Sequence, residues 1–141
     1  MGDIQHYLRF RVGQEWYGID VRSVVEVLHL IALTELPDAP PDVLGMMRLR
    51  EAIAPVIDLR LRFGLANAAY HLSTPIIAAQ TPSGLLGLVV DDVDDLERID
   101  SSQITAQESH TSRYVTGFAR TSSALLLILD ISLFRAENAF S

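Results

Sequence analysis

The sequence predicts a mainly β protein, built as small barrels or a sandwich, and three observations point there. Short apolar runs with period-two alternation recur at close intervals, bounded by turn residues. The longest apolar runs, such as Ala124-Leu-Leu-Leu-Ile-Leu129, have strand length. The two halves of the chain also repeat one another. At 141 residues the chain has the length of one domain, or of two very small lobes sharing a core.

Tyr7-Leu-Arg-Phe-Arg-Val12 alternates and reads as a half-buried strand. Gly13-Gln-Glu15 makes a turn into a returning strand, Trp16–Ile19. Asp20 is placed to cap one helical turn over Val21–Ser23, and Val24–Leu28 forms a third strand. Leu36–Asp42 holds three prolines, which remove donors and fix φ, so it is a connecting loop. Gly45–Gly64 reads as strand, tight turn and strand, with Leu49, Ile53, Val56 and Ile57 pointing inward. Ala66–His71 is a loop or short helical turn.

Pro75–Ala79 opens the second half as a strand, Thr81–Gly84 turns, and Leu85–Val90 is a buried strand. Asp91–Asp100 is acidic, with Val93, Leu96 and Ile99 interspersed, and its carboxylates read as a solvated strand end or a face for an arginine-bearing partner. Ser101–Ser112 is polar, a loop with helical tendency around Gln103–Glu108. Tyr114–Arg120 and Ala124–Leu129 form a last hairpin, and Ile131–Ala136 a short closing helix.

Tyr17-Gly-Ile-Asp-Val-Arg-Ser-Val-Val-Glu-Val resembles Leu86-Gly-Leu-Val-Val-Asp-Asp-Val-Asp-Asp-Leu, and Val56–Phe63 resembles Leu127–Phe134. Matched pairs at similar spacing imply an internal pseudo-duplication. Two barrels of five strands each have a thin core, so they must share apolar surface.

A formal net charge of −7 excludes general nucleic-acid binding, which needs a basic face. No apolar run is long enough for a bilayer span, and the first residues lack a basic and apolar leader, so the expected location is cytoplasmic without membrane insertion. There is no cysteine, so neither disulfide nor thiol chemistry is available. All eleven basic residues are arginine, which excludes any reaction needing lysine.

No catalytic constellation emerges. His6, His29, His71 and His110 are scattered, without metal-ligand spacing. Leu88–Asp95 and Leu127–Ile131 imitate parts of a phosphoacceptor receiver domain, but that fold needs a lysine and further βα units. Asp91–Asp95 lacks the glycine and glutamate of a calcium loop. It stays open as a metal- or small-ligand-binding alternative. Four arginines, 48, 50, 60 and 62, crowd a short stretch of an acidic chain. On a strand Arg48 and Arg50 share one face. They either solubilise a sheet edge or form a protein-recognition surface, for which planar guanidinium groups suit carboxylates and carbonyls.

Trp16-Tyr-Gly-Ile-Asp-Val-Arg-Ser-Val-Val-Glu-Val, followed by Leu33–Pro40, resembles the opening of the CheW-like coupling proteins of chemotaxis. Gly45-Met-Met-Arg-Leu-Arg-Glu-Ala-Ile-Ala-Pro-Val-Ile-Asp-Leu-Arg is similar to that family's Gly-x-x-Asn-Leu-Arg-Gly-x-Ile-x-Pro-x-x-Asp-Leu-Arg signature, with Arg48 for Asn and Glu51 for Gly. Gly87–Leu96, Tyr114–Gly117 and Leu126–Leu133 continue the match. The resemblance implies one CheW-like domain over 1–141, of two pseudo-symmetric five-stranded Src-homology-3-like barrels around a shared hydrophobic core, with short helices. The expected lobes cover about 8–70 and 74–135, intertwined at the termini. It implies a non-enzymatic adaptor without cofactor, joining chemoreceptor cytoplasmic tips to the regulatory domain of a CheA-type histidine kinase beneath the membrane. By motif, Val24, Glu26, Arg48, Arg50 and Leu96 face the receptor groove, and Gly45 and Met46 the kinase. The alternative role is a CheW-like regulator in a non-flagellar pathway, replacing or competing with a standard adaptor.

Overall fold

The structure, a computed structural model, describes residues 2–29, 33–66, 69–106, 113–122 and 125–134. The chain is mainly β. Its strands are β1 (Ile4–Val12), β2 (Glu15–Asp20), β3 (Val24–His29), β4 (Val43–Leu49), β5 (Ala52–Asp58), β6 (Pro75–Thr81), β7 (Gly84–Val89), β8 (Asp92–Asp100), β9 (Ile104–Ala106), β10 (Val115–Arg120) and β11 (Leu125–Leu129). One α-helical turn, α1 (Leu59–Arg62), follows β5, and 3-10 turns follow β2, β8 and β11. Each of the four turns is capped by an aspartate that accepts from backbone N–H groups: Asp20, Asp58, Asp100 and Asp130. The Arg/aliphatic run 59–62 therefore leaves the sheet as helix, because Asp58 satisfies its first donors at Arg60 and Leu61.

Two sheets result, ordered β8-β1-β2-β11-β10-β9 and β3-β6-β7-β5-β4. The duplication is plain in their registers. Leu8 pairs with Leu96 as Ile77 pairs with Val27, and Gly18 lies beside Ile128 as Gly87 lies beside Val56. Val56 thus corresponds to Ile128 rather than Leu127, one residue from the match in the bare sequence, and Asp58 corresponds to Asp130. The two repeats exchange their opening hairpins: β1 and β2 join β8–β11, while β6 and β7 join β3–β5. The sheets therefore divide the chain as 24–89 against 4–20 with 92–129, a different partition from 8–70 and 74–135.

Period-two alternation sends neighbouring residues of one strand to different cores. Leu8, Phe10 and Val12 of β1 meet Ile77 and Ala79 of β6, Leu86 and Leu88 of β7, Ile57, Leu129 and Phe134 in the core shared by both sheets. Ile76 and Ala78 instead join Met47, Leu49 and Val56 inside the five-stranded lobe. Tyr7, Ile99, Leu126 and Ile128 fill the six-stranded one. Ile53 departs from expectation. It lies on the outer face beside Arg48, its cross-strand partner, and is 59% exposed, because Ala54 and Val56 take the inward positions of β5.

The sixth strand of the larger sheet, β9, lies in the region expected to be helical; residues 107–112 lie outside the description, as do Asn67 and Ala68 of the loop after α1. The closing helix expected over Ile131–Ala136 is a single turn, Ile131–Leu133, after which Phe134 is extended; residues 135 and 136, and His110, lie outside the description. No helix among the described residues is long and apolar enough to cross a membrane.

Candidate interaction site

Between Leu49 and Ala52 the β4–β5 hairpin turns on two residues, Arg50 and Glu51. Arg50 takes φ +58°, a left-handed conformation that ordinarily favours glycine. The turn therefore keeps its two-residue length although the glycine expected after the arginine is a glutamate, and the positive φ falls on Arg50 itself. This lifts Arg50 out of the strand, so it does not share a face with Arg48. Its guanidinium instead reaches Glu26 of β3 at 3.4 Å. The contact links the hairpin tip to the opposite edge strand of the five-stranded sheet.

Val24, opposite Ala79, packs against the shared core; a bulge follows, and Glu26, opposite Ala78, turns to the five-stranded lobe, half-buried at its rim. Val25 and Val27 of β3 are both exposed. Arg48 projects from the outer face and takes no hydrogen bond or ion pair within the described residues. Glu26 and Arg50 are thus brought together, while Val24, two residues along β3, faces the shared core. Leu96 stands elsewhere, 52% exposed on β8, the edge of the other sheet, where it occupies the position equivalent to Val27. Spacing of two puts Val24 and Glu26 on one face, but the bulge between them parts their faces, and Val25 and Val27 were passed over; alternation neither shows a bulge nor says which face is covered.

Gly45 is buried and sits at a bulge in β4, where a Cβ would come within 2.5 Å of the Thr34 carbonyl. Thr34 lies so close because it exchanges two backbone hydrogen bonds with Met46, of 2.9 and 2.8 Å. Gly117 does the same service in the other lobe, where β9 passes and the Thr105 oxygen lies 2.7 Å from a built Cβ. Gly45 is therefore a packing residue, while the half-buried Met46 side chain lies on the outer face of β4 with Arg48, whose cross-strand partner is Ile53.

The carboxylates of 91–95 do not converge. Asp91 accepts from the Gly13 amide at 2.6 Å and from Arg60 at 2.8 Å, pinning the β1–β2 turn to α1. Asp94 pairs with Arg9, whose guanidinium also stacks 4.9 Å from the Trp16 ring centre, and this arginine holds the Asp94 carboxyl below its usual range. Among the described residues no three ligating side chains gather as a metal site would require.

The CheW-like domain profile matches residues 6–137. The chain is similar to the chemotaxis protein CheW of Klebsiella aerogenes, at 30% identity over 90% of this chain and 79% of that protein. It is also similar to the CheW of Rhizobium meliloti, at 33% over 80% and 73%, and to protein FrzA of Myxococcus xanthus, at 33% over 71% and 62%. Among solved structures, the scaffolding protein TtCheW of Thermoanaerobacter tengcongensis superposes with a TM-score of 0.84 at 30% identity, over 93% of this chain and 90% of that one. With the duplicated two-barrel fold and its exchanged hairpins, these likenesses make the chain a member of the CheW-like family of non-enzymatic scaffold and adaptor proteins.

Proposed function

We propose that the protein is a chemosensory adaptor, working in the cytoplasm at membrane-bound receptor arrays and coupling chemoreceptor tips to the regulatory domain of a CheA-type histidine kinase. The observation that carries this reading is the Glu26–Arg50 pair. Two residues far apart in sequence, both at family receptor positions, meet at one rim. A left-handed arginine is costly to hold, and such outliers concentrate where a partner uses the side chain. Leu96 joins the receptor-facing set as an exposed apolar position on the other lobe. Arg48 extends that set from the outer face of β4, where its guanidinium is available to a carboxylate. Met46 and the backbone around Gly45 make the kinase-facing side, with the exposed Ile53 as its apolar anchor.

Titration of the full chain with a CheA-type regulatory domain and a receptor tip fragment tests the proposal. Both should bind, and failure of both at tens of micromolar rejects it. Arg50→Ala should weaken the receptor fragment about tenfold, the loss typical of a central arginine contact. Its melting temperature should barely move, since an exposed ion pair contributes roughly 0–1 kcal/mol. A large loss of stability would instead make the arginine structural.

The likeness to FrzA, with Arg48 and Glu51 in place of the signature's Asn and Gly, favours a second reading: an adaptor of a non-flagellar pathway that replaces or competes with a standard one. Receptor fragments from both kinds of pathway, titrated side by side, separate the two.

A further inference from the structure

The two repeats carry equivalent clefts, finished differently. Each lies beside the aspartate that ends the last strand of a repeat, Asp58 in one and Asp130 in the other. The Asp58 cleft is shut. The carboxylate is fully buried, one oxygen accepting from the Arg60 amide at 2.8 Å and the other from the Tyr70 phenol. Arg60 crosses to Asp91 at 2.8 Å and closes the side. About 30 Å³ remains, room for a water or two.

Among the described residues neither latch is repeated at Asp130. Ser132 holds the position of Arg60 and is too short to cross. Arg22 holds the position of Asp91 and folds back on Asp20 at 2.6 Å. One Asp130 oxygen accepts from the Ser132 amide and hydroxyl, at 3.0 and 2.6 Å. The other takes no hydrogen bond among the described residues. An open cleft of about 520 Å³ results, lined by Tyr7, Ser23, Gln80 and Thr116, with Ile128 and Ile131 as apolar walls.

We propose that this cleft docks an extended segment of a protein partner that donates a tyrosine hydroxyl to Asp130, as residues 69–74 with Tyr70 occupy the equivalent cleft at Asp58. The chain itself shows what fills such a site. An acidic segment is excluded by Asp130 and Asp20 on a chain of net charge −7. Asp20 is already matched by Arg22, which also holds its carboxyl below the usual range. One uncompensated acceptor remains, and a neutral phenol satisfies it without setting a second guanidinium beside Arg22. The flat ring suits the isoleucine walls. None of Val24, Glu26, Arg50 or Leu96 lines this cleft, so the inference stands apart from the receptor reading.

Nitrogen-15 NMR titration of the full chain with a capped hexapeptide of residues 69–74 tests it. Saturable shifts are expected at the amides of Ser23, Gln80, Thr116 and Ser132. Phenylalanine in place of the peptide's tyrosine, and separately Asp130→Asn, which keeps a capping oxygen but not the charge, should each weaken binding about tenfold. Arg22→Asp with Ser132→Arg rebuilds the latch of the other cleft and should abolish the shifts; a spectrum otherwise unchanged certifies the fold. The proposal is overturned by absent or non-saturable shifts, by equal binding of the phenylalanine peptide, or by an unaffected Asp130→Asn. Shifts at the same amides on concentrating the protein alone would assign the cleft to a second copy and also overturn it.

Discussion

Arg50 concentrates two opposed demands in one residue. Its φ of +58° places Cβ against its own backbone, a cost of roughly 1 kcal/mol that glycine does not bear. Its side chain reaches Glu26 from that position. Removing the side chain and removing the strain are separable by two substitutions. Alanine keeps the strained backbone and loses the guanidinium; glycine loses both. Arg50→Gly should therefore raise the unfolding free energy by up to about 1 kcal/mol relative to Arg50→Ala, while both variants lose receptor binding equally. Denaturant midpoints read the first difference and titration the second. If the glycine variant is the less stable, the turn is held by something other than a tolerated left-handed residue. This residue also marks where sequence reasoning stops. Spacing put Arg48 and Arg50 on one face, which holds only while both are in the strand, and Leu49 is its last residue. Had Glu51 been glycine, the turn would have announced itself.

Edge management is the theme among the elements. In the five-stranded sheet Thr34 covers β4 through a single bridge at Met46, and in the six-stranded sheet β9 covers β10. Both covers depend on a glycine at a bulge. Gly45→Ala would drive a Cβ into the Thr34 carbonyl, so the cover must lift or β4 must shift. We expect a loss of about 1–3 kcal/mol, and hydrogen exchange at the Thr34 and Met46 amides faster than at the amides of β5. Unchanged protection at Thr34 would mean that the bulge flexes instead. For kinase binding the variant then reports through displaced backbone, so Met46→Ala is the cleaner probe of the surface. Strands β1 to β7, β10 and β11 were legible because alternation and turn residues bracket them, although the inward side of β5 was misjudged at Ile53. β8 was not, because its alternation is carboxylate against aliphatic and its acids look solvated; pairing with β1 makes it a nine-residue strand. β9, three residues long, has no periodicity to detect. α1 was hidden because Leu-Arg-Leu-Arg alternates like a strand, and only the Asp58 cap decides otherwise.

Hairpin exchange governs the molecule as a whole. The duplication was visible in the sequence, but which repeat's hairpin enters which sheet is a long-range choice that local patterns do not encode. Its consequence is mechanical. Residues 24–89 include every strand of the five-stranded sheet, yet one face of that sheet presents Ile57, Ile77, Ala79, Leu86 and Leu88 to partners from the other sheet. The six-stranded sheet cannot form until the chain ends meet across β2 and β11, a parallel pairing. Neither lobe has a core it can close alone, so unfolding should be a single cooperative event. Trp16, the one tryptophan, sits in the six-stranded sheet, so its fluorescence reports that lobe, whereas far-ultraviolet circular dichroism reports both. Their denaturant midpoints should coincide. Phe10→Ala, in the shared core, should lower stability by about 3–5 kcal/mol and move both midpoints together. A fluorescence transition that runs ahead of the circular dichroism would show the five-stranded lobe surviving on its own. In that case the shared core would be an interface between two domains, and an adaptor built that way would bend between its partners rather than hold them as one body.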